Sequence, residues 1–383
     1  MRCVIAPDSY KGSMTSLRVA EIIELGIKQV FPAAIIDKVP VADGGEGTVE
    51  AFLAAVGGEK KLLSVTGPLG DKVTAFWGKL ADGKTAVIEM AAASGLPLVP
   101  RHLRNPLTTT TYGTGELINA ALNDGCTNLV IGIGGSATND GGIGMAQALG
   151  IRFTDQDGHE LGYGGGCLAE LAAIDISQLN PLVKMANITI ACDVDNPLCG
   201  PYGAATVFGP QKGADSTMIA RLDQGLLHLG RIIREQLGPD ILNIAGAGAA
   251  GGLGGGLVAF LKAELKSGIE IVIQQTGLPA RIAGADLVIT GEGKTDSQTA
   301  RGKVPVGIAA VARQHGVPVI CISGGLEGDY EQIYGQGISA CFSIVPGPVS
   351  LESAMANGEV YLYQQVVNLF RAIQAVGAFK SNH

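Results

Sequence analysis

The fold is decided by the first segment of the chain, CVIAPDSYKGSMTSLRVAEIIELGIKQVF at residues 3–31. A short apolar run comes first and is broken at Pro7 and Asp8. Thr15 or Ser16 can then cap a helix, because the apolar residues that follow recur at helical spacing. The segment therefore predicts a strand, a turn and a helix, the repeating element of an α/β fold.

The same alternation continues after this segment and returns in the last third of the chain. Apolar, β-branched runs predict strands, and runs with helical spacing predict helices. The predicted strands are 35–41, 287–290, 317–322 and 340–345, and the predicted helices are 49–56, 305–314 and 360–375. Strands that alternate with helices indicate a parallel, doubly wound sheet.

The middle of the chain follows a different pattern. Residues 72–80 and 85–90 are β-prone runs on either side of a turn, which predicts an antiparallel hairpin. Two more strands are predicted at residues 128–133 and 188–192. The inserted middle therefore combines antiparallel and α/β features.

Length and pattern together predict two domains. A chain of 383 residues exceeds the ~250–300 that a single core usually supports. We predict an α/β domain with a doubly wound parallel sheet from residues 1–64 and 282–383, and an inserted second α/β domain with a mixed sheet from residues 65–281.

Composition and charge exclude several classes of protein. Lys and Arg number 27 against 35 Asp and Glu, so the net charge is −8, and no nucleic acid or anionic membrane partner is expected. The seven cysteines include no CxxC pair, which indicates a reducing compartment and no structural zinc. The Gly-rich stretch 241–261 lacks the bulky apolar surface of a membrane span, and the N-terminus does not resemble a signal peptide. We expect a cytoplasmic protein.

A Walker A pattern occurs at Gly78, Gly83, Lys84 and Thr85. Phosphate binding by that motif requires a strand before the loop and a helix N-terminus after it. Here the motif falls on the predicted hairpin, so we do not expect it to bind phosphate.

Two dinucleotide-type fingerprints also occur, one at Gly132, Gly134 and Ala137 and one in the glycine run 246–251. The first follows a predicted strand, and acidic residues lie about 20 residues further on, at Asp155 and Asp157. An NAD-dependent oxidoreductase of a small hydroxy acid therefore remains the alternative function.

The same region predicts an anion site without any template. The predicted strand leads into Gly134, Gly135, Ser136 and Thr138, and helical spacing resumes at residues 141–149. Backbone N–H groups, two hydroxyls and a helix dipole would converge there, and phosphate is the expected ligand. A tight turn that needs several glycines is the plain alternative.

Acidic residues recur in Gly-rich turns, three times directly after a predicted strand. Such carboxylates suggest a Mg²⁺-phosphate site with a carboxylate base, although each alone is more often a cap or turn residue. These residues are Asp8, Asp43 with Glu46, Asp193 with Asp195, and Glu292 with Asp296. Cations that share these loops are Lys11, Lys212, Lys294, Arg301 and Lys303.

Six long segments together resemble the type-1 glycerate kinase family, the bacterial glycerate 2-kinases. They are residues 6–13, 41–48, 134–142, 208–214, 246–252 and 291–299, in that order. The resemblance implies ATP-dependent, Mg²⁺-assisted phosphorylation of D-glycerate at the 2-hydroxyl, giving 2-phosphoglycerate. It also implies a flavodoxin-like domain that contains both termini, with an inserted α/β domain.

Residue roles follow as hypotheses, with substrate and nucleotide meeting in a cleft between the domains. Asp193, Asp296 and Lys11 are the catalytic candidates. Substrate binding is assigned to Asp8, Ser9, Lys11, Asp43 and Glu46; nucleotide binding to Gly134, Gly135, Ser136, Thr138 and Lys294; and Mg²⁺ to Asp193, Asp296 and Glu292. A small-anion-binding protein without catalysis is a third interpretation, and a homo-oligomer is compatible with the sequence.

Overall fold

The chain forms two compact units in a computed structural model that describes residues 1–42 and 44–380. The first unit comprises Met1–Asp43, Glu50–Val56 and Ile269–His383. The second comprises Gly44–Val49 and Gly57–Gly268. The first unit is thus assembled from both ends of the chain, and the second is nearly continuous.

The strands and helices alternate along most of the chain. The strands are β1 (Arg2–Ile5), β2 (Ile35–Lys38), β3 (Gly58–Thr66), β4 (Lys72–Leu80), β5 (Thr85–Glu89), β6 (Asn128–Gly132), β7 (Arg152–Thr154), β8 (Ala173–Asp175), β9 (Asn187–Ala191), β10 (Glu264–Lys266), β11 (Leu287–Thr290), β12 (Lys294–Thr295), β13 (Val319–Ser323), β14 (Gly325–Leu326) and β15 (Ala340–Ser343). The α-helices are α1 (Ser16–Val30), α2 (Thr48–Val56), α3 (Ala91–Ser94), α4 (Tyr112–Asn123), α5 (Ile143–Ala148), α6 (Ala204–Phe208), α7 (Ser216–Leu237), α8 (Leu253–Leu261), α9 (Gly268–Thr276), α10 (Leu278–Ile282), α11 (Val304–Gln314), α12 (Leu351–Ala356) and α13 (Gly358–Lys380). None of the helices among these residues is both long and apolar enough to cross a membrane.

The first unit contains a parallel five-stranded sheet in the order β15-β13-β11-β1-β2. Cys3 of β1 lies opposite Leu287 of β11 on one side and Ile36 of β2 on the other. The side chains of β1 are buried from Cys3 to Ile5, as expected for a strand covered on both faces. The predicted parallel sheet is confirmed.

Helix α1 begins where the sequence places its cap. The Thr15 hydroxyl accepts a hydrogen bond from the Arg18 N–H at 3.2 Å, which satisfies one of the unpaired donors of the first turn. The apolar face of α1 is buried, and Gly26 lets α13 approach so closely that a Cβ there would meet Val366. These helices and the sheet share one core.

The second unit contains a mixed six-stranded sheet in the order β10-β9-β6-β5-β4-β3. Strands β3, β4 and β5 are antiparallel, and β5, β6, β9 and β10 are parallel. The predicted hairpin of β4 and β5 and the predicted mixed sheet are confirmed. The Walker A pattern lies on this hairpin, as its turn signal predicts.

One predicted element near the turn that is predicted to bind an anion differs from the structure. The sequence suggests a helix from residue 141, whereas α5 is only six residues long and begins at Ile143. Gly142 precedes it with φ +80° and Gly141 with φ +63°, a left-handed conformation that does not extend a helix. The helix dipole expected at the turn therefore contributes little.

Candidate active site

The glycine-rich turn after β6 is held by a buried lysine. Lys212 Nζ donates to Ser136 Oγ and to the Thr138 carbonyl oxygen, both at 2.6 Å. Only 2 % of the Lys212 side chain is exposed. Burial lowers the pKa of Lys212 to about 7, and the nearby charge of Asp140 opposes that shift. We call Ser136, Thr138, Asp140 and Lys212 the lysine cluster.

Asp140 of this cluster is also fully buried, but its partners are N–H and O–H groups. Its carboxylate accepts from the Thr111 N–H and hydroxyl, each at 2.8 Å, and from the Gly142 N–H at 3.1 Å. Burial raises the pKa of Asp140, and these hydrogen bonds act in the opposite direction. Asp140 therefore fixes residues 111 and 142 beside the turn.

Several buried polar atoms at the turn have no partner among the described residues. They are the Thr138 hydroxyl and both the nitrogen and the oxygen of the Asn139 amide. Buried polar groups in proteins are almost always hydrogen-bonded, so groups without partners call for an explanation. A bound ligand or ordered water at the turn would supply the missing partners.

The fingerprint glycines serve close packing in this structure. A Cβ on Gly132 would overlap the Gly44 carbonyl oxygen, and one on Gly134 would lie 2.9 Å from Gly45 Cα. The Gly134 N–H already donates to the Gly44 carbonyl at 3.2 Å. The glycines at these positions are explained without a dinucleotide, and the short α5 cannot provide a pyrophosphate-binding terminus. The oxidoreductase alternative is not favoured.

The loop after β1 joins the loop after β11 in the first unit. The Asp8 N–H donates to the Gly291 carbonyl at 2.8 Å, and the Asp8 carboxylate accepts from the Ser9 N–H at 2.6 Å. A Cβ on Gly293 would lie 3.2 Å from the Lys11 backbone nitrogen. The predicted residues at positions 8, 9 and 11 are therefore neighbours of the 291–296 segment, because β1 and β11 are adjacent parallel strands.

A buried carboxyl cluster lies in that segment and comprises Glu292, Thr295, Thr299 and Ser323. Glu292 Oε1 accepts from the Thr295 hydroxyl at 3.0 Å and from the Thr299 hydroxyl at 2.6 Å. The Thr295 and Ser323 hydroxyls are 2.7 Å apart. Burial raises the pKa of Glu292 against the effect of these bonds and of Lys303. The oxygens of this cluster are the donor type that a hard cation prefers, and the Cys321 thiol lies 3.4 Å from the Ser323 hydroxyl.

Asp296 has a different environment from Glu292. Its Oδ1 accepts from the Gln298 N–H at 2.9 Å, and Lys294 Nζ lies 3.1 Å from its Oδ2. Burial works against ionisation, but the Gln298 bond together with Lys294 and Lys303 lowers the pKa of Asp296. Lys294 is exposed and also pairs with Glu327 at 2.8 Å. Its predicted role at the nucleotide therefore competes with two carboxylates, Asp296 of its own segment and Glu327 after β14.

The remaining predicted site residues lie elsewhere. Asp193 is exposed in the second unit and accepts from the Gly268 N–H at 2.9 Å. Glu46, also in the second unit, and Lys11, in the first, are exposed. Asp43 lies outside the described residues. The roles of these side chains stay predictions.

A group of metal-capable side chains stands together in the described part of the chain, at Asp155, Asp157 and His159. Asp155 Oδ1 accepts from the N–H groups of residues 157 and 159, both at 2.9 Å. The group is thus a hydrogen-bonded turn after β7. Asp155 and Asp157, the acidic pair that supported the dinucleotide interpretation, lie in this turn.

Sequence reasoning did not select Lys212 or Asp140, although both fall inside segments that carry the resemblance. Lys212 is one of five loop cations in the sequence, and only the fold shows that it is buried. The available sequence signal was the turn pattern that places Lys212 between Pro210 and Gly213. In the structure Gly213 has φ +94°, and there is no room for a Cβ beside Arg104. Such a turn fixes the direction of the preceding side chain.

Comparison with known proteins agrees with this fold. The profile of the glycerate kinase family matches residues 3–374. A glycerate kinase of Bacillus subtilis (strain 168) is 53% identical over 374 residues, 98% of each chain. A glycerate 2-kinase of Escherichia coli (strain K12) is 55% identical over 354 residues, 92% of this chain and 93% of that one. A crystal structure from Salmonella typhimurium LT2, whose description names glycerate kinase 2, has a TM-score of 0.89, 49% identity and 99% coverage of both chains.

These matches show that the chain is an α/β enzyme of the kinase class. More narrowly, it belongs to the glycerate kinase family. The family resemblance drawn from six sequence segments is confirmed.

Proposed function

We propose that this kinase transfers the terminal phosphoryl group of ATP to the 2-hydroxyl of D-glycerate, with Mg²⁺ as cofactor, and releases 2-phosphoglycerate and ADP. The observation that carries the proposal is the 55% identity to the E. coli protein named glycerate 2-kinase. The lysine cluster supports it, because a buried ammonium and partnerless donors beside a glycine-rich turn suit a phosphate group.

In this proposal, the turn with Gly134, Gly135, Ser136 and Thr138 binds nucleotide phosphate. Phosphoryl transfer depends mainly on positioning and on charge placed over the transferred group, so little covalent chemistry is required of the protein. The hydroxyls of the turn and its other backbone N–H groups would orient the phosphates, whereas the N–H groups of Gly134 and Ala137 already donate to the Gly44 and Ser94 carbonyls. Exposed Lys294 remains a further candidate for contacting them.

The loop of Asp8, Ser9 and Lys11 would bind the three-carbon acid, with Asp43 and Glu46 from the next loop. An ammonium such as that of Lys11 matches the carboxylate of glycerate. Hydroxyl and carboxylate side chains match its two alcohols. These assignments follow from the adjacency of the loops after β1 and β11 and from the resemblance.

Carboxylates complete the proposed site. When bound, Mg²⁺ would neutralise phosphate charge, and Glu292, Asp296 and Asp193 are the residues proposed to hold it. The lowered pKa of Asp296 keeps this carboxylate ionised at neutral pH, which suits a cation ligand. Asp193 or Asp296 would accept the proton of the substrate hydroxyl.

The test is a coupled assay on the purified chain with Mg-ATP and D-glycerate. ADP release should require glycerate, and enolase added without a mutase should convert the product directly to phosphoenolpyruvate. A signal that needs phosphoglycerate mutase would show phosphorylation at the 3-hydroxyl instead. ADP release without glycerate, or none with it, would contradict the proposal.

A further inference from the structure

We propose that Lys212 is a positioning residue for phosphoryl transfer: its buried ammonium fixes the Ser136–Thr138 turn and supplies the positive charge that this turn presents to a phosphate group. The inference names Lys212 as the cation of the anion site, in place of Lys294, the loop lysine that the sequence analysis assigned to the nucleotide. It rests on the proposed function only where it identifies the phosphate as that of ATP.

Lys212 has no carboxylate in direct contact among the described residues. Its Nζ has two acceptors, a hydroxyl and a carbonyl oxygen, and forms no ion pair with any carboxylate among residues 1–42 and 44–380. Asp140 contributes attraction at longer range while its oxygens accept from Thr111 and Gly142. An ammonium has three N–H donors, so one of them has no acceptor among the described residues.

Burial of the unpaired Lys212 ammonium is unfavourable unless another interaction compensates for it. Moving an unpaired ammonium out of water costs several kcal/mol even after relaxation. A neutral donor would bridge the Ser136 hydroxyl and the Thr138 carbonyl without that penalty. A charged side chain at this position is therefore better explained by an anion that binds at the turn.

Other hydrogen-bond donors at the turn also lack partners among the described residues. The Thr138 hydroxyl and the Asn139 amide nitrogen are fully buried and unpaired within the described chain. Together with the third N–H of Lys212 they form a set of donors around residues 136–139. Phosphate oxygens accept several hydrogen bonds at once, so one phosphate can satisfy such a set.

An open groove lies next to Lys212 in the second unit. It has a volume of about 500 Å³ and is lined by Arg104, Thr108 and Gly213 among others. Gly213 directly follows Lys212, and the hydroxyl of Thr109, next to Thr108, donates to the Ala137 carbonyl at 2.8 Å. The groove is within the size range of small-ligand sites, and its lining is joined to the turn through Lys212 and Thr109.

Asp140 is the charged group that favours the ammonium of Lys212. The Arg104 guanidinium donates to the carbonyl of Gln211, the residue before Lys212, at 3.3 Å. Desolvation lowers the pKa of Lys212 to about 7 in the free protein. A bound phosphate would raise it, so binding above pH 7 should take up a proton and weaken as the pH rises.

The experiment measures the dissociation constants of Mg-ATP and of inorganic phosphate between pH 7.5 and 9.5. For the wild-type protein, both constants should rise by up to about tenfold per pH unit. Lys212→Met should weaken binding at least about tenfold at pH 7.5 and flatten the pH dependence. Lys84→Met, at an exposed lysine on the β4–β5 hairpin, is the matched control and should behave as wild type.

Ser136→Ala provides a second variant if Lys212→Met does not fold. It keeps the ammonium and removes one acceptor, so binding should weaken severalfold while the pH dependence persists. The proposal is overturned if folded Lys212→Met binds both ligands as wild type does, or if wild-type binding is independent of pH over this range. Failure of the proposed function is separate: it would appear as absent glycerate phosphorylation by a wild-type protein that still binds phosphate.

Discussion

Raising the pH from 7 to 9 is expected to stabilise the fold through Lys212. In the unfolded chain this lysine keeps its proton up to about pH 10.5, whereas in the fold its pKa is lowered to about 7 by burial. Between these values the unfolded state binds more protons than the folded state, so the free energy of unfolding rises with pH. Below pH 7 both states are protonated, and this contribution no longer changes.

The size of this stabilisation follows from the same lowering of the pKa of Lys212. Each pH unit in this window adds at most about 1.4 kcal/mol to the free energy of unfolding, so two units add up to ~3 kcal/mol. Urea unfolding at pH 7, 8 and 9 measures it, and Lys212→Met provides the reference that subtracts all other titrating groups. Lys84→Met should retain the wild-type slope.

A stability that does not depend on Lys212 in this way would contradict the prediction. If the difference in stability between wild type and Lys212→Met is the same at pH 7 and pH 9, Lys212 titrates like a solvated lysine and is not desolvated in the fold. The charge argument for the anion site would then lose its basis. A slope of the opposite sign would mean that a partner stabilises the ammonium in the free protein.

Three further changes test other parts of the structure. Asp296→Asn should lower kcat by about 100-fold or more if this carboxylate is base or metal ligand, and a rate within about threefold of wild type would remove it from both roles. Gly291→Ala should cost ~1–3 kcal/mol in urea unfolding, because its Cβ would overlap the Ile322 carbonyl; Gly335→Ala, with open space around it, should stay within about 0.5 kcal/mol. Thr15→Ala should lower stability by about 1 kcal/mol through loss of the α1 cap, measured as a lower Tm.

The sequence predicts the parallel sheet well because its strands are buried on both faces. Residues 287–290 match β11 at both ends, since four consecutive apolar or β-branched side chains are all buried there. Strand β3 was not predicted. Its exposed outer half carries Glu59, Lys60 and Lys61, and its strand conformation depends on pairing with β4 at the sheet edge.

The site was harder to predict than the fold. The segments around Gly134 and Glu292 stand out because glycines and hydroxyl residues follow strands. Which cation is buried depends on packing between distant segments, and 74 residues separate Lys212 from the carbonyl that it contacts. Charge and loop position alone therefore favoured Lys294, which is exposed and pairs with its own neighbours.

The assembly of the first unit from both chain ends has a consequence for synthesis on the ribosome. After Cys3 has been synthesised, some 284 further residues must be added before Leu287, its partner on β11, is present. At ~5–20 residues per second, that interval is roughly 15 to 60 s. During it, β1 and α1 emerge without their central neighbour, whereas the contiguous stretch Gly57–Gly268 can complete its own sheet. A nascent chain should thus resist protease in its middle before its beginning.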